Sequence, residues 1–172
     1  MKAINNYQDL AFALLSKMYR SEHQYITYLQ VFDNKASGKN LKSLLFDLKQ
    51  STNYKLHLHH HLIRRLKSPL NTSAGEGMNG IFKEAFLTMK EGGTNIITDT
   101  IILNTIMLAS HYKLGSYLTL SLYLRVVGFE SETKILQKII NTEESLLRSI
   151  NALINEQVIQ NAYQAQYEES VA

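Results

Sequence analysis

Cysteine is absent from the 172 residues, so the chain can build neither a disulfide framework nor a thiolate metal site. Tryptophan is absent as well, and a single proline with eight glycines leaves little to interrupt a helix. Charged residues make up only 19% of the chain against 45% hydrophobic, which excludes a charge-rich disordered polymer and allows one sizeable core. The net charge of +3 is mildly basic, but no basic stripe interleaved with aromatics accompanies it, so nucleic acid is not an expected partner. No uninterrupted membrane-length apolar run occurs. The nearest, Ile101 to Val127, is broken by Asn104, His111, Lys113 and Arg125, and a lysine at the bilayer centre costs about 3 kcal/mol. A helix buried on most sides in a soluble assembly fits that segment better. The short apolar stretch Leu10 to Leu15 follows Asp9 and lacks a small-residue cleavage site, so no signal peptide is read and a cytoplasmic location is expected.

What is present is helical periodicity. Leu10, Leu14, Met18, Tyr25, Ile26 and Leu29 fall at three- and four-residue steps, predicting a helix from about Asn6 to Phe32 capped by Asn5 or Asn6, with Glu22 on its apolar stripe. Asp33 to Asn40 is a connection. Asn40 is then expected to cap a helix over Leu41 to Leu66, with Leu41, Leu45, Leu48, Thr52, Leu56, His59, Ile63 and Leu66 on one face and Pro69 ending it. After a loop from Ser68 to Gly77, Met78, Ile81, Phe82, Ala85 and Met89 mark a shorter helix stopped by Gly92-Gly93. Thr94 or Asn95 caps a long helix to about Val127, and Gly128 ends it. Ser131 caps the last, in which Ile135, Ile139, Leu146, Ile150, Leu153 and Val158 repeat, and the polar tail from Ala162 to Ala172 is expected to fray. The pattern predicts a single all-α domain over residues 1–172, a four-helix bundle with an extra short helix in its middle connection.

Three segments carry a family resemblance. His111-Tyr112-Lys113-Leu114-Gly115-Ser116-Tyr117, followed by Gly128 and the last helix, resembles the YciE/YciF family of ferritin-like, bacterial stress-associated proteins. Tyr19 and Ser21-Glu22-x-Gln24 resemble that family's opening, and Gly77-Met78-x-Gly80-Ile81-x-x-Glu84 its middle segment. The resemblance implies a ferritin-like fold. It also implies a di-iron or di-manganese centre held by inward-facing carboxylates and histidines.

Carried over residue by residue, the resemblance leaves that centre eroded. Glu22, His111 and Glu143 stand at positions where the family places ligands. Ser110 and Lys113 replace glutamates beside His111-Tyr112, Thr142 precedes Glu143, and the second helix reads Phe46-Asp47-Leu48-Lys49-Gln50-Ser51 where relatives are rich in Glu. Glu22, Glu143 and one histidine cannot complete a metal pair, so no cofactor is expected unless the residual site is competent. Lys113 shares a face with Ile106, Ala109, Tyr117 and Leu120. Either its ammonium replaces the metal by pairing with Glu22 or Glu143, or it snorkels along the helix to solvent.

His57, His59, His60 and His61 crowd the second helix. His57 and His61 share a face at a spacing able to chelate a transition metal, but two imidazoles fall short of a normal site. The plainer alternative is a polar face with His59 turned inward. Arg64, Arg65 and Lys67 follow, and offsetting a helix C-terminal dipole explains them as well as phosphate binding does. Of the ten tyrosines, Tyr112, Tyr117 and Tyr123 lie on the most apolar helix and are read as core residues with hydrogen-bonded hydroxyls, not as redox-active groups. No Ser-His-Asp arrangement, phosphate loop or dinucleotide fingerprint is present. The expectation is a non-catalytic, homodimerising module with its metal site lost. The alternative is a protein handling iron, manganese or peroxide through a residual centre.

Overall fold

The structure is a computed structural model describing residues 4–70 and 75–171, with side chains described through 157 and at 159. Among the described residues there are five helices and no strand: α1 (Tyr7–Lys35), α2 (Lys39–Leu66), α3 (Glu76–Lys90), α4 (Asn95–Val126) and α5 (Glu130–Val171). No described helix is long and apolar enough to cross a membrane.

Most helix ends follow the local chemistry. The Asn6 side chain caps α1 by accepting from the Asp9 N–H at 2.8 Å, and Thr94 caps α4 through the Ile97 N–H. Gly92, Gly93 and Gly128 take the positive φ values (98°, 157° and 83°) that end helices and that other residues rarely adopt. Several boundaries differ from expectation, among them the end of α1, which runs to Lys35 into the expected connection. α2 is capped by Gly38, not Asn40, because the Asp99 carboxylate of α4 accepts from the Ser37 N–H, the Ser37 hydroxyl and the Gly38 N–H at 2.7–2.9 Å and sets the start of the helix two residues sooner. α5 begins at Glu130, ahead of Ser131. Its helical backbone extends to Val171 through a tail that contains no proline or glycine. Of the expected loop from Ser68 to Gly77, residues 71–74 lie outside the described residues.

Asp99 is thus a clamp between α4 and the α1–α2 connection, itself buried. Asp99→Ala leaves two backbone donors and one hydroxyl without their acceptor and is expected to cost about 2–3 kcal/mol. Urea unfolding of the variant against the parent measures it.

The same contact fixes topology. It brings the start of α4 beside the start of α2, while Arg65 near the end of α2 donates to Glu132 at the start of α5 at 2.8 Å. The diagonal helices α2 and α4 therefore run parallel, and α5 runs antiparallel to both. α1 packs on α2 and α4, and α5 packs on the same two, so the order around the bundle is α1, α2, α5, α4. The chain leaves the far end of α2 and returns through α3, which lies against α4 and α1. One long crossover in an otherwise up-down bundle is the ferritin-like arrangement.

The core falls into two apolar halves. One gathers Tyr25, Leu29, Phe32, Leu41, Leu45, Leu48, Phe82, Ile102, Ile106 and Ile150. The other gathers Ala11, Leu15, Met18, Leu62, Tyr117, Leu120, Leu124, Leu136 and Ile139. Between them lies a layer of fully buried polar side chains.

Candidate functional site: a buried ring of ion pairs

Each long helix sends one charged residue into that middle layer from its apolar seam. On α1 it is Glu22, between Met18 and Tyr25. On α2 it is Lys55, between Thr52 and His59. Lys113 lies on α4 between Ala109 and Tyr117, and Glu143 on α5 between Ile139 and Leu147. The three- and four-residue spacing that points the neighbouring apolar residues inward points these inward too. All four side chains have no solvent-accessible surface.

The charges alternate around the bundle: negative on α1, positive on α2, negative on α5, positive on α4. Lys55 Nζ donates to Glu143 Oε2 and lies 3.2 Å from Glu22 Oε1. Lys113 Nζ lies 3.1 Å from Glu143 Oε1 and 3.7 Å from Glu22 Oε2. Each carboxylate thus offers one oxygen to each ammonium, and the ring carries no net charge. Around it, the Tyr117 hydroxyl donates to Glu22 Oε1. Lys113 Nζ rests over the Tyr25 ring, 3.6 Å from its centroid, a desolvated cation–π contact. The His59 Nδ1–H donates to the Lys55 carbonyl at 3.0 Å, which leaves Nε2 as the unprotonated, unpartnered nitrogen facing the layer.

The electrostatics hold Glu22 and Lys113 ionised. Burial alone would raise the pKa of Glu22, but Lys113, Lys55 and the hydrogen bond from Tyr117 outweigh it and pull the carboxyl down to about 2. Burial works against the Lys113 ammonium, yet Glu143 and Glu22 carry its pKa above the ordinary lysine value. Burial, then Glu143, pushes the Tyr25 hydroxyl up. Burial, then Glu22, does the same to Tyr117. Burial pushes His59 down to about 4, so it is neutral at pH 7. None of these groups is poised near neutral pH for proton transfer, which general acid–base catalysis requires.

The donors do not fit the metal pair that a ferritin-like fold implies. Two carboxylates and one imidazole nitrogen face the layer, where such centres draw on four carboxylates and two histidines. Two ammonium groups occupy the space between the carboxylates and would repel a dication. Among the described residues no group of three or more histidines and carboxylates is placed to hold a metal ion.

The residues singled out in the sequence distribute unevenly. Glu22, Glu143 and Lys113 meet in the ring. His111 does not: it is exposed on the outward face of α4, because two residues along a helix from Lys113 is more than half a turn away. His57 and His61 are exposed on α2, and His59 is the buried member of that run. His60 Nε2 and the Tyr19 hydroxyl share a hydrogen bond at 2.9 Å. The contribution of α2 to the centre comes from Lys55 and His59, not from the segment Phe46 to Ser51. Lys55 is the residue sequence reasoning missed. One available signal was charge: two carboxylates on apolar seams need two buried cations, and Lys113 supplies one.

No curated protein matches the chain. Among solved structures it is similar to YcfI of Rhodopseudomonas palustris, with a TM-score of 0.83 at 21% identity over 87% of this chain and 96% of that one. It is likewise similar to the E. coli stress protein YciF, with a TM-score of 0.84 at 19% identity over 92% of this chain and 98% of that one. At these identities the likeness shows the fold, an all-α ferritin-like bundle. The sequence itself matches a family over residues 6–163, so the chain belongs to the family described as Domain of unknown function (DUF892).

Proposed function

We propose that this protein is a non-catalytic helical module that works by contact, as a homodimer, and in which the ring of Glu22, Lys55, Glu143 and Lys113 stands where other ferritin-like bundles hold metals. The observation that carries this reading is the second buried lysine. One ammonium between two carboxylates would leave a net negative centre, still attractive to a cation. Two leave it neutral and filled. Likeness to a protein named for stress suggests a role in a stress response, exerted through binding rather than turnover.

Metal content tests it. Tag-free protein purified with added iron, manganese and zinc is expected to hold less than about 0.1 equivalent of iron or manganese by mass spectrometry, since a filled, neutral centre has no coordination to offer. Zinc released by His57→Ala would mark surface histidines only. Stoichiometric iron or manganese that disappears in Glu22→Ala would sink the reading and restore a working metal centre.

A further inference from the structure

Away from the ring, α3 and α1 enclose an open cleft of about 600 Å³, a size usual for small-ligand sites. Its α3 side is one stripe of the helix, where Gly80, Lys83, Phe86, Leu87 and Lys90 recur at helical spacing. Tyr28 of α1 forms the facing wall and is fixed in place. Its ring stacks on buried Phe82 at 4.1 Å, nearly parallel, and its hydroxyl donates to Asn79 Oδ1 at 3.0 Å. Phe86 adds a second ring, 5.9 Å from that of Tyr28. Leu87 is 53% exposed, an apolar side chain the core does not use. Gly80 is the floor. It lies inside a 15-residue helix, and a Cβ built on it would meet nothing within 4 Å. A mid-helix glycine weakens the helix relative to alanine, and no contact inside the molecule requires this one. What it provides is depth. The charge of the cleft is lopsided. Lys83 and Lys90 stand about 10 Å apart along α3, one on each side of Phe86-Leu87. Among the described residues neither has an acidic partner. Glu76, the acid of the lining, lies roughly 10 Å before Lys83 and about 20 Å before Lys90.

We propose that this cleft binds an aromatic acid: a flat ring system packed against Tyr28, Phe86 and Leu87 over Gly80, with one anionic group held by Lys83 and Lys90. Rigid aromatic walls favour a flat guest through offset and edge-to-face contacts. The two ammonium groups supply charge of the sign an acid needs, and they give up no ion pair of their own to do so. An apolar body with one acidic end matches a cleft whose aromatic middle lies beside its cations and whose own acid stands at the far end. The site uses neither the ring of ion pairs nor the dimer proposed above, so it adds a small ligand to a module otherwise read as working by protein contact.

Fluorescence titration with anilinonaphthalene sulfonate tests it, with phenylnaphthylamine as the uncharged counterpart. The sulfonate is expected to bind one site per chain with a Kd of about 10–100 µM, the affinity an open site gives a ligand of this size. The uncharged dye should bind about fivefold more weakly, the effect of losing exposed charge contacts. Gly80→Leu fills the floor without a clash and replaces a helix-weakening residue by a good helix former. It should keep the full helical signal and bind both dyes more weakly by at least about twentyfold. Lys83→Gln/Lys90→Gln should weaken the sulfonate about fivefold and leave the uncharged dye unchanged. Naphthoate should displace the sulfonate better than decanoate, an aliphatic acid of similar size. Dye binding that survives Gly80→Leu would lie elsewhere, as on the exposed leucines of α4, and would overturn the proposal. So would charged and uncharged dyes bound alike by the parent protein. Decanoate as the better competitor would make the cleft a site for aliphatic chains and overturn the aromatic assignment.

Discussion

Lys55→Met is expected to destabilise the protein by about 3–5 kcal/mol, the usual result of removing one partner from a buried ion pair. Methionine matches lysine closely in volume, so little of this loss is packing. What remains is Glu22 and Glu143 facing each other across a dry core with Lys113 alone between them. Lys113→Met should behave in the same way and also lose the contact with the Tyr25 ring. The opposite outcome is expected when the whole ring is replaced by apolar residues. Glu22→Leu, Lys55→Met, Lys113→Met and Glu143→Leu combined should be neutral or more stable by up to about 4 kcal/mol, since four desolvation penalties vanish together. Urea unfolding of the singles and the quadruple variant measures the pattern. A loss under about 1 kcal/mol for Lys55→Met would place that ammonium in water rather than in the core.

A large loss of stability on mild acidification is expected next, and His59 carries it. Its ordinary pKa of 6.5 falls to about 4 in the folded protein. Below pH 6.5 the unfolded chain therefore takes up a proton that the folded state refuses, so stability is complete above that value and declines until the folded pKa is reached. The difference corresponds to about 3 kcal/mol. Burial lowers His23 as well, in the same direction. Glu22 acts in a second window. Its depressed pKa contributes stability that is present above 4.5 and lost as pH falls toward about 2. Urea midpoints between pH 7.5 and 4.5 should drop steeply in the parent protein and much less in His59→Gln. A parent midpoint constant across that range would show that His59 is charged in the folded state.

The fold was legible because its signals are local. Pro69, Gly92-Gly93 and Gly128 punctuate the chain, and apolar spacing names the helices between them. The Gly38 cap was not legible, because it depends on Asp99, more than sixty residues away. Lys113 could be found because Ile106, Ala109, Tyr117 and Leu120 share its face. Lys55 was hidden by Leu56: either residue continues the three- and four-residue step, and the apolar one is the natural choice. Burial goes to Lys55, while Leu56 is only half buried. His111 failed for a different reason. α4 is apolar nearly all round, so its pattern does not say which side faces the core, and family position alone could not supply that rotation.

The ring also constrains how this chain can change. With two cations and two anions in a dry core, any single charge-altering substitution leaves one charge unmatched and pays most of a buried-pair penalty. Metal binding in this layer would need both lysines replaced, and the first replacement alone gains no metal while losing stability. Passage between a metal-filled and a self-neutralised bundle therefore crosses a fitness valley that only paired substitutions bridge, or that stability held elsewhere in the fold can absorb.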